Sequence, residues 1–90
     1  MDKVIITVVG KDTVGIIAKV CTYLAEHEVN ILDISQTIVK EYFNMMMIVN
    51  GREANVSFDE LVMGLDTVGA DMGVSVKCQR EEIFTKMHRI

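Results

Sequence analysis

Apolar residues recur along the chain at strand and helix spacing, and this pattern predicts four strands and two main helices. The first and third predicted strands, Lys3–Val9 and Phe43–Val49, are apolar on both faces, as is usual for central strands. The second, Asn30–Val39, has one mixed face that carries Ile31 and Asp33, as expected of an edge or half-exposed strand. The fourth predicted strand is Val74–Gln79, in which apolar and polar residues alternate.

The helices are predicted from their end signals as well as from their apolar stripes. Gly10 is expected to end the first strand, and the helix after it has Asp12 or Thr13 as its cap and Gly15 in its first turn. Ser57 and Glu60 form a capping-box pattern that opens the second helix. A third helix is predicted over 80–90, with acidic residues at its start and basic residues at its end, in agreement with the helix dipole.

The resulting order is βαββαβ followed by a C-terminal helix. Right-handed crossovers then give an α+β, ferredoxin-like sandwich, in which a four-stranded antiparallel sheet carries both main helices on one face. The chain is expected to form a single domain over residues 1–90, with a core at 1–79 and a helical extension at 80–90.

Composition and charge exclude several classes of function. The formal net charge is −4 and no three basic residues are consecutive, which argues against a nucleic acid and against an anionic membrane surface as partner. No apolar run approaches the roughly 20 residues of a membrane span, and there is no signal-peptide pattern, so a cytoplasmic location is expected. The cysteines and histidines lack ligand spacing, so neither a metal site nor a cofactor is expected.

The loop before the first helix is the best candidate for a binding site. Backbone N–H groups of residues 12–15 are predicted at a helix N-terminus beside a strand end, where they suit the carboxylate of a small molecule. No nucleophile–base pair accompanies them, so the chain is not expected to be an enzyme. Each candidate has a structural alternative: Gly10 as a turn residue, Asp12 as a cap, Asn30 as a left-handed connector and Asp33 as a solvated side chain.

The sequence lacks the residues that other functions known for this topology require. A metallochaperone would carry a CxxC in the first loop, an RNA-binding domain would carry aromatic residues on its central strands, and an acylphosphatase-like enzyme would need an arginine in that loop. The first loop instead reads GKDTVG, and the third strand carries methionines.

The chain resembles the ACT domain, a small regulatory module that binds amino acids. The resemblance is carried by the βαββαβ pattern to about Gln79 and by Gly10, Asp12, Gly15, Ala18, Leu24 and Asn30-Ile31. It is greatest to small stand-alone bacterial and archaeal ACT proteins, and the glycine cleavage repressor type is more distant. The resemblance implies that two copies pair and that a ligand lies at their interface, near the first loop and the start of the second strand. The ligand-binding residues it indicates are Gly10, Asp12, Thr13, Val14, Gly15, Asn30, Ile31 and Asp33.

The expected function is therefore a regulatory module that senses a small molecule, most simply an amino acid, through the interface of a homodimer or larger even oligomer. A partner protein would read the change in pairing. The alternative is a structural protein that binds itself or a partner enzyme without a ligand, and an orphan enzyme is a more remote third reading.

Overall fold

The computed structural model of the protein describes residues 1–11 and 14–82. Its regular elements follow the predicted order of strand, helix, strand, strand, helix, strand. They are β1 (Lys3–Lys11), α1 (Ile16–Glu26), β2 (Asn30–Val39), β3 (Tyr42–Asn50), α2 (Phe58–Met72) and β4 (Val74–Arg80).

The four strands form one antiparallel sheet in the order β2-β3-β1-β4. The two strands with apolar residues on both faces, β1 and β3, are central, as their sequences predicted. Each is covered on one face by the helices and is flanked by a strand on either side. The ferredoxin-like α+β fold predicted from the sequence is thus confirmed.

The hydrophobic core lies between the two helices and one face of the sheet. Alternate residues of the central strands enter it, because side chains of a strand alternate between its two faces. Each helix contributes one buried stripe, because its side chains repeat about every 3.6 residues. The residues of this core are Val4, Ile6, Val8, Ile16, Val20, Leu24, Val29, Phe43, Met45, Met47, Val49, Leu61, Leu65 and Val76.

The start of α2 follows the predicted signal. The hydroxyl of Ser57 accepts the N–H of Glu60 at 3.2 Å, and the carboxylate of Glu60 accepts the N–H of Ser57 at 3.0 Å. Gly73 ends the helix in the left-handed conformation, with φ of 73°. Two of the helix's potential orphan donors are therefore satisfied by side chains.

The boundary between β1 and α1 differs from the prediction. Gly10 does not end β1, because it pairs with Phe43 on one side and with Val74 on the other, and the strand continues to Lys11. Gly15 does not lie in the first turn of α1 but precedes it as the N-cap residue, with φ of 90°. A glycine adopts this conformation without the steric penalty that a side chain brings.

A bulge in β2 corrects the predicted faces of that strand. Ile31 pairs with Val49 and the next paired residue is Asp33, opposite Ile48, so Leu32 is the extra residue. Ile31 therefore packs toward the core, whereas Asp33 lies on the opposite face, and the two do not share a face as predicted. The left-handed residue between α1 and β2 is Glu28, with φ of 57°, rather than Asn30.

Some predictions fall on residues that the structure does not describe. These are the capping role of Asp12 or Thr13 and residues 83–90 of the predicted C-terminal helix. Arg80, the predicted first residue of that helix, belongs instead to β4, and residues 81 and 82 are helical. Within the described ranges no helix is long and apolar enough to cross a membrane.

Candidate functional site

An open groove of about 510 Å³ separates the start of α1 from the edge strand β2. Its walls are mostly apolar, and Gln36 supplies the one polar side chain among the described residues that line it. The lining residues are Val14, Gly15, Ile16, Ile17, Ala18, Gln36, Ile38 and Phe43.

The N-terminus of α1 reaches this groove without a side-chain cap among the described residues. The first intrahelical hydrogen bond runs from the N–H of Lys19 to the carbonyl oxygen of Gly15, at 2.9 Å. The N–H groups of residues 16–18 precede it and have no intrahelical acceptor. The first turn of α1 contains no acidic residue, whereas α2 begins with an intact capping box. The described part of α1 thus offers donors and a positive dipole end that its own side chains do not use.

Position 15 favours glycine because of its backbone conformation, not because space for a side chain is lacking. Among the described residues, a Cβ built at this position would meet only the terminal methyl of Met72, at 4.0 Å. The φ of 90° would nevertheless strain any L-residue placed there. The glycine therefore allows the sharp entry into α1 that leaves the first-turn N–H groups beside the groove.

Gly10 is required by the packing of the sheet. A Cβ at this position would lie 2.7 Å from Cγ1 and 2.9 Å from Cβ of Val74 on β4. The structural role of Gly10 is thus close strand packing, not a turn. A contact between Gly10 and a ligand stays a prediction, as do the predicted roles of Asp12 and Thr13, which lie outside the described residues. Val14 lies at the mouth of the groove and is 97% exposed.

The other predicted site residues lie at the opposite end of the domain within one chain. Asn30 pairs with Asn50, whereas Ile38 pairs with Phe43 beside the groove. Eight residues of strand separate Asn30 from Ile38, a distance of about 27 Å at about 3.4 Å per residue. One chain alone therefore does not bring Asn30 to the N-terminus of α1.

Ile31 and Asp33 are also remote from the groove of their own chain. Ile31 packs against the core from the edge of the sheet. Asp33 is exposed, and its carboxylate accepts the N–H of Ile34 at 2.9 Å. The local hydrogen bond of Asp33 leaves its remaining acceptor positions open to solvent.

The predicted ligand set omitted the wall of the groove that β2 and β3 provide, formed by Gln36, Ile38 and Phe43. A sequence signal for Gln36 exists, since it stands between Ile34 and Ile38 on an otherwise apolar strand face. Without the sheet order, that signal could not be connected to the loop before α1.

The groove lining, as far as it is described, is apolar apart from one amide side chain. None of the described residues that line the groove carries a titratable side chain.

Elsewhere, burial raises the pKa of the Cys78 thiol to about 12, with a smaller contribution from the negative charge of Asp66. No group of three potential metal ligands occurs within residues 1–11 and 14–82.

The comparisons with known proteins agree on one family. The profile of the ACT domain matches residues 2–79. A UPF0237 protein from Bifidobacterium longum is 66% identical over 90 residues, covering the whole of both chains. The solved structure of an ACT domain protein from Streptococcus pneumoniae is 42% identical and superimposes with a TM-score of 0.81, covering 92% of this chain and 93% of that one. A putative glycine cleavage system transcriptional repressor shares the fold at 23% identity and a TM-score of 0.74, covering 87% of this chain and 44% of that one.

Proposed function

The chain belongs to the ACT domain family, and from this premise we propose that it is a regulatory module that senses a small carboxylic acid, in the first instance an amino acid. The single observation that supports this most is the start of α1, which has no side-chain cap among the described residues and lies beside an open groove. A carboxylate placed there would accept first-turn N–H groups, and the helix dipole would favour it by about 0.3–1 kcal/mol.

The rest of the groove supplies complementary contacts for such a ligand. The amide of Gln36 offers both a donor and an acceptor, so it can accept a hydrogen bond from an ammonium group. Ile17, Ile38 and Phe43 provide apolar walls against which a ligand side chain would be buried. A pocket with apolar walls and few polar groups is typical of small-molecule sites.

A second copy of the chain would complete the site. The outer edge of β2 is not paired in the sheet, and its residues from Leu32 to Val39 are all exposed. Antiparallel pairing of two β2 edges would bring the start of β2 in one copy beside the end of β2 in the other. The main chain near Asn30 of the second copy would then approach the strand that carries Gln36, whereas the side chain of Asp33 lies on the opposite face of the sheet. We therefore propose a homodimer or larger even oligomer as the binding form.

Regulation would follow from linkage between the ligand and the pairing of copies. A ligand that contacts both copies favours one pairing geometry, and a partner protein would bind that geometry preferentially. Coupling of this kind typically amounts to about 1–3 kcal/mol. Catalysis forms no part of the proposal.

The proposal is tested by a thermal-shift screen with the amino acids and related small acids, followed by calorimetry. A ligand at 100 times its dissociation constant is expected to stabilise the fold by about 2.7 kcal/mol. Gln36→Ala should weaken binding of that ligand, whereas Thr37→Ala, on the other face of the same strand, should not. Asn30→Ala should weaken it as well if a second copy completes the site.

Two results would contradict the proposal. One is a screen in which no compound stabilises the protein. The other is a ligand that binds the three variants as tightly as it binds the unmodified chain.

The alternative function, self-association or binding to a partner enzyme without a ligand, is favoured by one observation. The edge strand exposes four apolar side chains: Leu32, Ile34, Ile38 and Val39. Sedimentation equilibrium distinguishes the two functions, because a ligand should change the association constant of a sensor and leave that of a purely structural protein unchanged.

A further inference from the structure

The groove beside the start of α1 combines a buried apolar part with an apolar wall that is still open. Phe43 and Ile16 form the buried part and are only 3% and 2% exposed. Ile17 is half-buried, and Ile38 is 52% exposed although it lines the groove. Apolar surface is therefore left in contact with water at the side of the groove, and an apolar occupant would cover it.

The charged residues of α1 and β2 belong to other surfaces. Those of α1, Lys19 and Glu26, line a separate groove between the two helices. That of β2, Asp33, is paired with Ile48 and lies on the sheet face opposite the helices. The described lining of the groove beside α1 thus has no charged side chain.

A second copy paired along β2 would add no charge to the groove from this strand. The β2 residues on the helix side of the sheet are Ile34, Gln36 and Ile38, because each is paired with a buried residue of β3. None of the three is charged. The lining therefore stays uncharged in every register in which these residues of the two copies meet.

We propose that the groove selects amino acids, or similar small carboxylic acids, that have an apolar side chain. This selectivity rests on the proposed function and names the class of ligand for that same site. The ligand side chain would contact Phe43, Ile17 and Ile38. An apolar side chain gains free energy from burial there, whereas a charged one would lose its hydration and find no opposite charge in the described lining.

The size of the groove is compatible with this class of ligand. Its volume of about 510 Å³ falls within the range of about 300–1,000 Å³ that is typical of small-molecule pockets. Gly15 has no side chain that would narrow the groove at the start of α1. The volume therefore leaves room for aliphatic and aromatic side chains, and the uncharged lining determines the selectivity.

Calorimetry on the full chain with matched amino acids tests the selectivity. Leucine is compared with asparagine and valine with threonine, since the members of each pair are close in size and shape. In each pair the apolar member should bind at least about tenfold more tightly, because the other brings a polar group into an apolar groove. Aspartate should bind more weakly than asparagine, because it adds a charge.

Truncation of the open wall locates the side-chain contact. Ile38→Ala should weaken the binding of leucine by at least about tenfold and leave the binding of alanine, which has a much shorter side chain, nearly unchanged. Val39→Ala is the matched control, because Val39 is also exposed but lies on the opposite face of the same strand. It should alter neither affinity. Equal losses for leucine and alanine in Ile38→Ala would contradict the contact.

The outcomes separate this selectivity from the proposed function. If only amino acids with polar or charged side chains bind, the ligand class is wrong and the sensing function stands. If leucine and asparagine bind equally tightly, the apolar lining does not select and the ligand class is again wrong. If no small acid binds, both proposals are wrong.

Discussion

Gly64 of α2 lies directly under the hydroxyl end of the Tyr23 side chain of α1, and a Cβ at Gly64 would overlap that phenol group. The glycine therefore lets the two helices approach with Tyr23 between them. Partial burial there raises the pKa of Tyr23, and the negative charges of Cys78 and Glu60, when ionised, add to the effect.

Gly64→Ala should destabilise the protein despite the better helix propensity of alanine. Displacing a packed aromatic side chain costs about 1–3 kcal/mol, against a gain of about 1 kcal/mol in propensity. Urea denaturation of the single variant should show a net loss. In a Tyr23→Ala background the same substitution should become neutral or stabilising, and a loss of equal size in both backgrounds would show that Tyr23 is not the cause.

Gly10→Ala should lower stability rather than ligand affinity alone. The new methyl group would meet the Val74 side chain, and overpacking of this kind costs about 1–3 kcal/mol. Val74→Ala should recover part of the loss in a double variant measured by the same denaturation. If Gly10→Ala is as stable as the unmodified chain, the close approach of β1 and β4 at this position is wrong.

The capping box of α2 should make stability depend on pH in the acidic range. The N–H of Ser57 donates to the Glu60 carboxylate and, with the Ser57 side chain, holds the pKa of Glu60 below its usual 4.5. The stabilisation is therefore fully present above 4.5 and is lost as the pH falls through the lower folded value. Unfolding free energies from about pH 6 to about pH 3 should fall less steeply for Glu60→Gln than for the unmodified chain. Equal slopes would exclude this contribution.

The thiol of Cys78 should react slowly with alkylating reagents. Burial raises its pKa from 9.0 to about 12, and this lowers its thiolate fraction near neutral pH by about a thousandfold. Iodoacetamide labelling followed by mass spectrometry should show slow modification of Cys78 in the folded protein and fast modification in urea. Cys21→Ser removes the other thiol and serves as the control. Rapid labelling of folded Cys78 would contradict its burial.

The fold could be predicted because its signals are local. The two-sided apolar character of β1 and β3 identified the central strands, and Ser57 with Glu60 marked the start of α2. These patterns depend on neighbours within one element, so they can be recognised without knowledge of the tertiary structure.

The candidate groove could be predicted only in part, because its walls come from distant parts of the chain. The start of α1 was identified, but Ile38 and Phe43 join it only through the sheet order. The separation of Asn30 from that point follows from strand direction, which places the two ends of β2 about 27 Å apart. The φ of Gly15 and the bulge at Leu32 leave no distinctive residue pattern, and they displaced the predicted helix start and the face of Ile31.

The bulge in β2 also means that this edge strand contains one residue more than its pairing with β3 requires. Ile31 and Asp33 already pair with adjacent residues of β3, Val49 and Ile48. Deleting Leu32 would let the two halves of β2 join without changing the register or the face of any later side chain. A deletion two or three residues further along would instead turn every following side chain to the opposite face. The strand thus contains a built-in point at which its length can change by one residue while the wall of the groove keeps its composition.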